Sequence, residues 1–383
     1  VAIDSAGDVT SIDGGAGDNV LDNRLVTAGN ADQFTNFNTL GLGLTTGSFD
    51  ASLVSGISSL HLLATGGTYT GVTPSMSMAI DKNTTAGVAV TTLTFATGTA
   101  SGTADSYSVA ITPTQTSPTA TAAALQSIDS GTLKVEGIEN VTIASNALGF
   151  VNNVVDLTSA TLQTVTVTGS APGMTLGFAG TNGTNVSAAL GGAVNLIDAT
   201  GYAGDLSVST AFVTADIRAA VGLTVATGAG DDVITLAGSA KVSAGAGDDK
   251  IVTAASAITV MTGGAGNDHF DVQLSLGAAG GAVIADLESS DIIEVAGAYT
   301  AGTLGDNKNI GAATSLLEAL DIANGSGLSA DQIVWFQYAG NTYLYADLAT
   351  HSTVDAADNI VQIVGLVELE GSTYTAAGVL TVI

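Results

Sequence analysis

Three stretches of the chain place glycines and aspartates in one shared spacing: Thr227-Gly-Ala-Gly-Asp-Asp-Val-Ile-Thr235, Ala244-Gly-Ala-Gly-Asp-Asp-Lys-Ile-Val252 and Gly263-Gly-Ala-Gly-Asn-Asp-His-Phe-Asp271. Each contains G-x-G-x-D-x-U, where U is a large apolar residue: Ile234, Ile251 or Phe270. Glycine permits the tight turn and close backbone approach that such a loop needs. Turned backbone carbonyls together with an aspartate carboxylate supply hard oxygens, and calcium takes about six to eight of them. The expected ligand-bearing positions are therefore Gly228, Gly230, Asp231 and Asp232 in the first turn, and Gly245, Gly247, Asp248 and Asp249 in the second. In the third they are Gly264, Gly266, Asp268 and Asp271. The apolar U then points inward and begins a strand. The plain alternative is three Gly-Asp turns with no metal. One such turn alone would favour it; three in register, each followed by an inward apolar residue, favour Ca2+. A fourth copy, Gly14-Gly-Ala-Gly-Asp-Asn-Val-Leu-Asp22, stands apart, with Asp18 followed by Asn19 where aspartate is expected, and is read as a weak calcium site.

Spacing adds a second inference. Gly228 and Gly245 are 17 residues apart, and Gly245 and Gly264 are 19 apart. A nonapeptide repeat of this kind gives two turns per coil of about 18 residues. One turn of each coil is thus of the metal type. The other, Leu236–Ala240 and then Ala254–Ala257, is plain. The result is a parallel β-roll with calcium along one edge, each ion tying a coil to its neighbour. Three loops in register make two full inter-coil sites, with partial sites at the ends.

The elements that must carry these turns are short strands. Aliphatic and β-branched residues lie between small turn residues across 383 residues that include 49 glycines, a pattern that favours strands. Ala89–Phe95, Ser106–Thr112, Val141–Ala144, Thr164–Thr168 and Leu206–Ser209 are examples. An Asp followed by small residues recurs at Asp50, Asp156 and Asp198 without a fixed period, as successive rungs of a solenoid would look. Residues 113–124 read as an exposed excursion. One helix is expected over 311–325, with Leu316, Leu317, Leu320 and Ile322 as its apolar stripe, Thr314 or Ser315 as its cap and Gly325 as its end. Residues 332–383 return to strands. The expected fold is all-β: a right-handed parallel β-solenoid or β-roll with a small C-terminal cap containing one helix. The expected divisions are a solenoid-like region 1–220, a calcium-binding roll 221–295 and a cap 296–383.

Charge narrows the function. Seven Lys and Arg stand against 35 Asp and Glu, a net charge of −28. Nucleic acid and anionic membrane surfaces both need a basic patch, so neither is an expected partner. Mean hydropathy of +0.44 argues against disorder. The acids must therefore meet multivalent cations or solvent. There are no cysteines, hence no disulfides or thiolate sites. No apolar run of about 18 or more residues predicts a membrane-inserted helix. The chain opens Val1-Ala2-Ile3 without Met or a basic segment, and is expected to be the C-terminal part of a longer protein. His61, His269 and His351 are scattered, and neither H-E-x-x-H nor G-x-S-x-G occurs, so no enzyme is expected. Trp335, Phe336, Tyr338, Tyr343 and Tyr345 could stack on a sugar, but packing the helix onto the solenoid end is the preferred reading. Asn83, Asn140, Asn182 and Asn185 head N-x-S/T triplets that chance explains in so Thr-rich a chain.

At the Gly-Asp turns the chain resembles the repeats-in-toxin (RTX) proteins, whose repeat is G-G-x-G-x-D-x-U-x; only the third copy has both leading glycines. Ile284-Ala-Asp286 and Asp291-Ile-Ile293 resemble the segment that closes an RTX roll, which adds Asp286 and Asp291 to the expected metal residues. The helix, Val334–Tyr338, Gly340–Tyr343, Asp358–Ile360 and Ile363–Val367 are similar to the C-terminus of type I-secreted S-layer proteins of Gram-negative bacteria. Gly137–Ile143 also recurs in that group. The resemblance covers about residues 220–383. It implies export by an uncleaved C-terminal signal, calcium-induced folding outside the cell and self-assembly into a two-dimensional lattice on the cell surface. It also implies anchoring to lipopolysaccharide through a region that is not recognisable in this chain. A calcium-dependent RTX adhesin fragment, or the non-catalytic carrier part of an RTX exoenzyme, are the alternatives.

Overall fold

The computed structural model describes residues 2–3, 9–80, 90–112, 126–146, 151–178, 194–210, 222–254, 258–273, 281–311, 313–325, 332–347, 354 and 358–383. The expected excursion at 113–124, residues 255–257 of the second plain turn and His351 lie outside them. The protein is all-β, built on long parallel sheets, and divides into two compact units, Val1–Gly204 and Asp205–Ile383.

In the first unit, successive strands alternate between two sheets, so each coil adds one strand to each. One sheet runs through Val20–Asp22, Thr39–Leu42, Ser59–Leu62, Ser77–Ile80, Ser106–Ile111, Asn140–Ser145, Thr164–Gly169 and Leu196–Tyr202. The other runs through Ser48–Asp50, Thr68–Val72, Val90–Phe95, Gln126–Val135, Val151–Thr158 and Gly173–Phe178. Their alternation follows the period-2 geometry of strands: Val109, Ile143 and Val167 stack in register and are fully buried. The missing period has a simple cause, because coil length varies. Leu40 pairs with Leu60, whereas Tyr107 pairs with Val141. Two of the recurring aspartates are turn devices. Asp50 Oδ1 accepts from the Ser52 N–H and hydroxyl, and Asp198 Oδ1 from those of Thr200, the local bonding that makes Asp a turn residue.

The second unit repeats the plan, and its shortest coils are those of the Gly-Asp turns, where Ile234 pairs with Ile251 and Ile251 with Phe270. Asp205–Ser209, Val233–Thr235, Lys250–Val252, His269–Val272 and Ile292–Val295 form one parallel set, and Leu223–Ala226, Ala240–Ala246, Thr259–Ala265 and Ala282–Ile284 the other. Two in-register rows of apolar residues fill it: Val225, Val242, Met261 and Ile284, and Val208, Ile234, Ile251, Phe270 and Ile293. All are buried. An open parallel edge would recruit other chains. Here Asn359–Ile363 adds to Ala282–Ile284, Val379–Thr381 adds antiparallel to Ile292–Val295, and the antiparallel hairpin Ile333–Tyr338 with Asn341–Ala346 extends the first of these.

The helix is shorter than expected, Leu316–Gly325. Ser315 Oγ accepts from the Glu318 N–H, while Glu318 reaches back to the Thr314 N–H and hydroxyl. That reciprocal box starts the helix after Ser315 and leaves Ala313–Ser315 outside it. The stripe also differs. Leu317 is 61% exposed, and Ala319, Leu320 and Ala323 are buried. From Leu316 the i+3, i+4 and i+7 positions are Ala319, Leu320 and Ala323, so two of the three are small. They pack on Val334, Phe336, Tyr343 and Tyr345, with Phe336 and Tyr343 stacked at 5.4 Å and the Trp335 indole donating to the Gly305 carbonyl. The aromatic cluster is a core. Among the described residues no helix is long and apolar enough to cross a membrane.

Candidate metal centre

The three Gly-Asp turns stack directly above one another in the second unit. Gly245 pairs with Gly264 and Ala246 with Ala265, and Ala229 bridges Ala246. Gly230, Gly245, Gly247, Gly264 and Gly266 all have positive φ. A Cβ on Gly245 would meet the Gly228 carbonyl oxygen, and one on Gly247 the Gly230 carbonyl oxygen. The same holds for Gly264 over Gly245 and for Gly266 over Gly247. Glycine is thus required twice over, for the left-handed turn and for carbonyls that approach the next coil's Cα. Ile234, Ile251 and Phe270, the inward residues of the motif, are fully buried.

The second aspartate of each turn forms an inner ladder. Asp232 Oδ1 accepts from the Leu206 N–H (2.8 Å), Asp249 Oδ1 from the Asp232 N–H (2.8 Å), Asp268 Oδ1 from the Asp249 N–H (3.0 Å) and Asp291 Oδ1 from the Asp268 N–H (2.9 Å). Each carboxylate thereby fastens its coil to the one before. Asp232 and Asp249 are 1% exposed, and the Oδ2 of each is buried without a hydrogen-bond partner. The first aspartates form an outer ladder of opposite sense. Asp205 Oδ1 accepts from the Asp231 N–H, Asp231 Oδ1 from the Asp248 N–H, and Asp248 Oδ1 from the Asn267 N–H. Asp205 follows Gly204 as Asp231 follows Gly230, but Tyr202 stands where the paired glycine would be, and its place in this ladder was not foreseen.

Electrostatics separate the two ladders. Burial, reinforced by neighbouring carboxylates, pushes Asp232 and Asp268 up to about 6 and Asp249 up to about 7. The backbone N–H groups that each accepts pull back only in part. At Asp232 the nearby Thr227 hydroxyl also lowers the value, although it donates to the Ala244 carbonyl oxygen. Unit charges one rung apart, ~4.8 Å, repel by about 3 kcal/mol at an effective dielectric of about 20. A buried, half-satisfied carboxylate is itself costly. Such a row needs protons or cations.

Asp286 and Asp291 end the stack. Asp286 accepts from the N–H groups of both Gly263 and Gly264, one on each oxygen. Asp291 accepts the Asp268 N–H on Oδ1 and the Glu288 N–H on Oδ2. These carboxylates cap the last turn. The third turn has its extra leading glycine for a visible reason, because a Cβ on Gly263 would strike the Asp268 carboxylate. Asp271 is not at the turn. It lies on the strand His269–Val272, 3.4 Å from Lys250 Nζ and hydrogen-bonded by Gln273.

The fourth copy lies in the first unit and is organised without acids at the inner position. The Asn19 N–H donates to Asn38 Oδ1 (2.9 Å), the same coil-to-coil bond that Asp249 makes to Asp268. Asn19 Nδ2 donates to the Gly15 and Gly17 carbonyls. Asp18 accepts from Asn38 Nδ2 at 3.0 Å. Asn38 was not foreseen. Its signal is an asparagine 19 residues after Asn19 with buried Leu40 two residues on, matching Asn19 and Leu21.

Among the described residues no three acidic, His or Cys side chains converge on one point. A bound ion would therefore draw chiefly on backbone carbonyls plus one or two carboxylates. The residues fit a hard divalent cation: buried, unpartnered carboxylate oxygens in turns whose glycines bring backbone carbonyls against the next coil are oxygen-only donors of the kind calcium takes. No protein-family model matches the chain, and no curated protein matches it.

Proposed function

We propose that this chain is a calcium-dependent structural subunit of a bacterial surface layer, of the RTX type, secreted and self-assembling rather than catalytic. The single observation that carries the reading is the inner aspartate ladder, buried and stacked coil upon coil, with two carboxylate oxygens unmatched by any donor. Asp232, Asp249 and Asp268, with the carbonyls of the glycine turns, would hold the ions. Calcium would supply positive charge between coils, removing the mutual repulsion of these acids. The chain's own residues do the rest. Glycines bring the carbonyls close, Oδ1 atoms fix coil register through backbone N–H groups, and Asp286 and Asp291 end the array. The strongly acidic composition, −28 overall, supports a partner that is a second copy bridged by cations. Extracellular modules bind calcium at about 10⁻⁴–10⁻³ M, so folding would await export.

Two measurements on the full chain test this. Circular dichroism in excess chelator should show lost strand content that calcium restores, and negative-stain microscopy in calcium should show ordered sheets. Dispersed particles in calcium would point to the adhesin reading, and strand content indifferent to chelator would remove calcium from the account.

A further inference from the structure

We infer that Asn19 is the residue that frees the turn of residues 14–22 from any need for a cation, its side-chain amide standing where an ion would stand in the acidic turns. The inference rests on reading those acidic turns as cation sites. The two kinds of turn are the same object in three respects. Each follows the Gly-Gly/x-x-Gly pattern with positive φ at the last glycine, Gly17 or Gly247. Each puts a buried aliphatic residue four positions after that glycine, Leu21 or Ile251. Each donates its position-six N–H to the side-chain Oδ1 of the equivalent residue 19 positions on, Asn38 or Asp268.

They differ in what meets the turn carbonyls. A carboxylate has no hydrogen to offer, so beside carbonyl oxygens it adds negative charge to negative dipoles. An amide carries two hydrogens. Asn19 Nδ2 donates to Gly15 O at 3.2 Å and Gly17 O at 3.0 Å. Facing two carbonyls fixes which end of the amide points inward, since the amide oxygen there would oppose two oxygens. Asn38 Nδ2 adds a further bond to the Gly17 carbonyl at 3.3 Å. The donors that calcium would supply as charge are here supplied as N–H groups. The identity of one residue, Asn or Asp, thus decides whether a coil is closed by the chain alone or waits for an ion.

Hydrogen–deuterium exchange of the full chain, with and without chelator, tests this in wild type, Asn19→Asp and Asn19→Ala. In wild type, peptides over 20–42 should be equally protected in both buffers, while peptides over 233–272 lose at least tenfold in chelator. Asn19→Asp should cost 20–42 at least tenfold in chelator, with recovery in excess calcium. Asn19→Ala should cost protection in both buffers without recovery. Loss of protection at 20–42 together with 233–272 in wild-type chelator samples overturns the inference, as does indifference of Asn19→Asp to calcium. If 233–272 themselves ignore chelator, the cation reading of the acidic turns falls, and the inference falls with it. That pattern is distinct from the first, in which 233–272 respond to chelator as expected and 20–42 respond with them.

Discussion

The coil at residues 14–42 and the coils at 228–272 solve one problem in two chemistries. Both stack a glycine turn on its neighbour through a backbone N–H and a side-chain oxygen 19 positions away. In the first the oxygen belongs to an amide that can also donate. In the second it belongs to the carboxylate of Asp268, and the two inner carboxylates before it, Asp232 and Asp249, each leave their other oxygen buried and unmatched. On the proposed calcium reading, a neutral turn would be complete when the chain folds, and an acidic turn would still need a positive charge. The coil-to-coil bond is shared, and under the proposed function the difference in chemistry would make one coil permanent and the other conditional.

The largest effect that would break this comparison is steric and independent of the ion. Gly264→Ala places a Cβ against the Gly245 carbonyl at a φ of +106°. It should destabilise the second unit by more than about 3 kcal/mol with or without calcium, read by chemical denaturation. Retained stability would mean that the turns do not stack as described. Next comes Asp249→Ala, which removes an oxygen and leaves the Asp232 N–H buried without its acceptor. It should cost about 1–3 kcal/mol in calcium and move the calcium midpoint at least tenfold upward by titration. An unchanged midpoint would separate the inner ladder from ion binding.

A pH series sharpens the same contrast. Asp232, Asp249 and Asp268 titrate in the folded state at about 6 to 7, above the ordinary value of 3.8. The metal-free fold therefore holds protons that the unfolded chain has released. Its stability is fullest below about pH 4 and is lost as pH rises through 6 and 7. Denaturation in chelator at pH 5 and pH 7.5 should show the acidic coils more stable at the lower pH, and calcium should flatten that slope. The reverse slope would contradict burial of these acids. The smallest effect belongs to Lys250→Ala, a half-exposed partner of Asp271, worth about 0.2–1 kcal/mol and insensitive to calcium.

Much of this was legible because turns and inward residues leave marks in sequence. The glycine pairs must be glycine, and Ile234, Ile251 and Phe270 must be apolar, so the roll and its register followed from types and spacing. What stayed hidden had no obligatory residue. Asn38 and Asp205 join their ladders through a side-chain oxygen and a neighbour's N–H, a role several polar residues can fill; Asn38 has no glycine beside it, and Asp205 has Gly204 but not a second glycine two positions earlier. The helix stripe misled for a related reason: its buried face is carried by Ala319 and Ala323, which a search for large aliphatics passes over, while Leu317 points outward. Asp271 looked like a ligand because it ends the third repeat, yet the strand that follows Asp268 carries it to Lys250.

Anomalous scattering from a crystal grown in millimolar calcium addresses the central claim most directly. Peaks are expected between successive acidic turns, about 2.3–2.6 Å from the Oδ2 atoms of Asp232 and Asp249, with none at Asn19. Acidic turns without peaks, or a peak enclosed by the carbonyls of Gly15 and Gly17, would contradict the account.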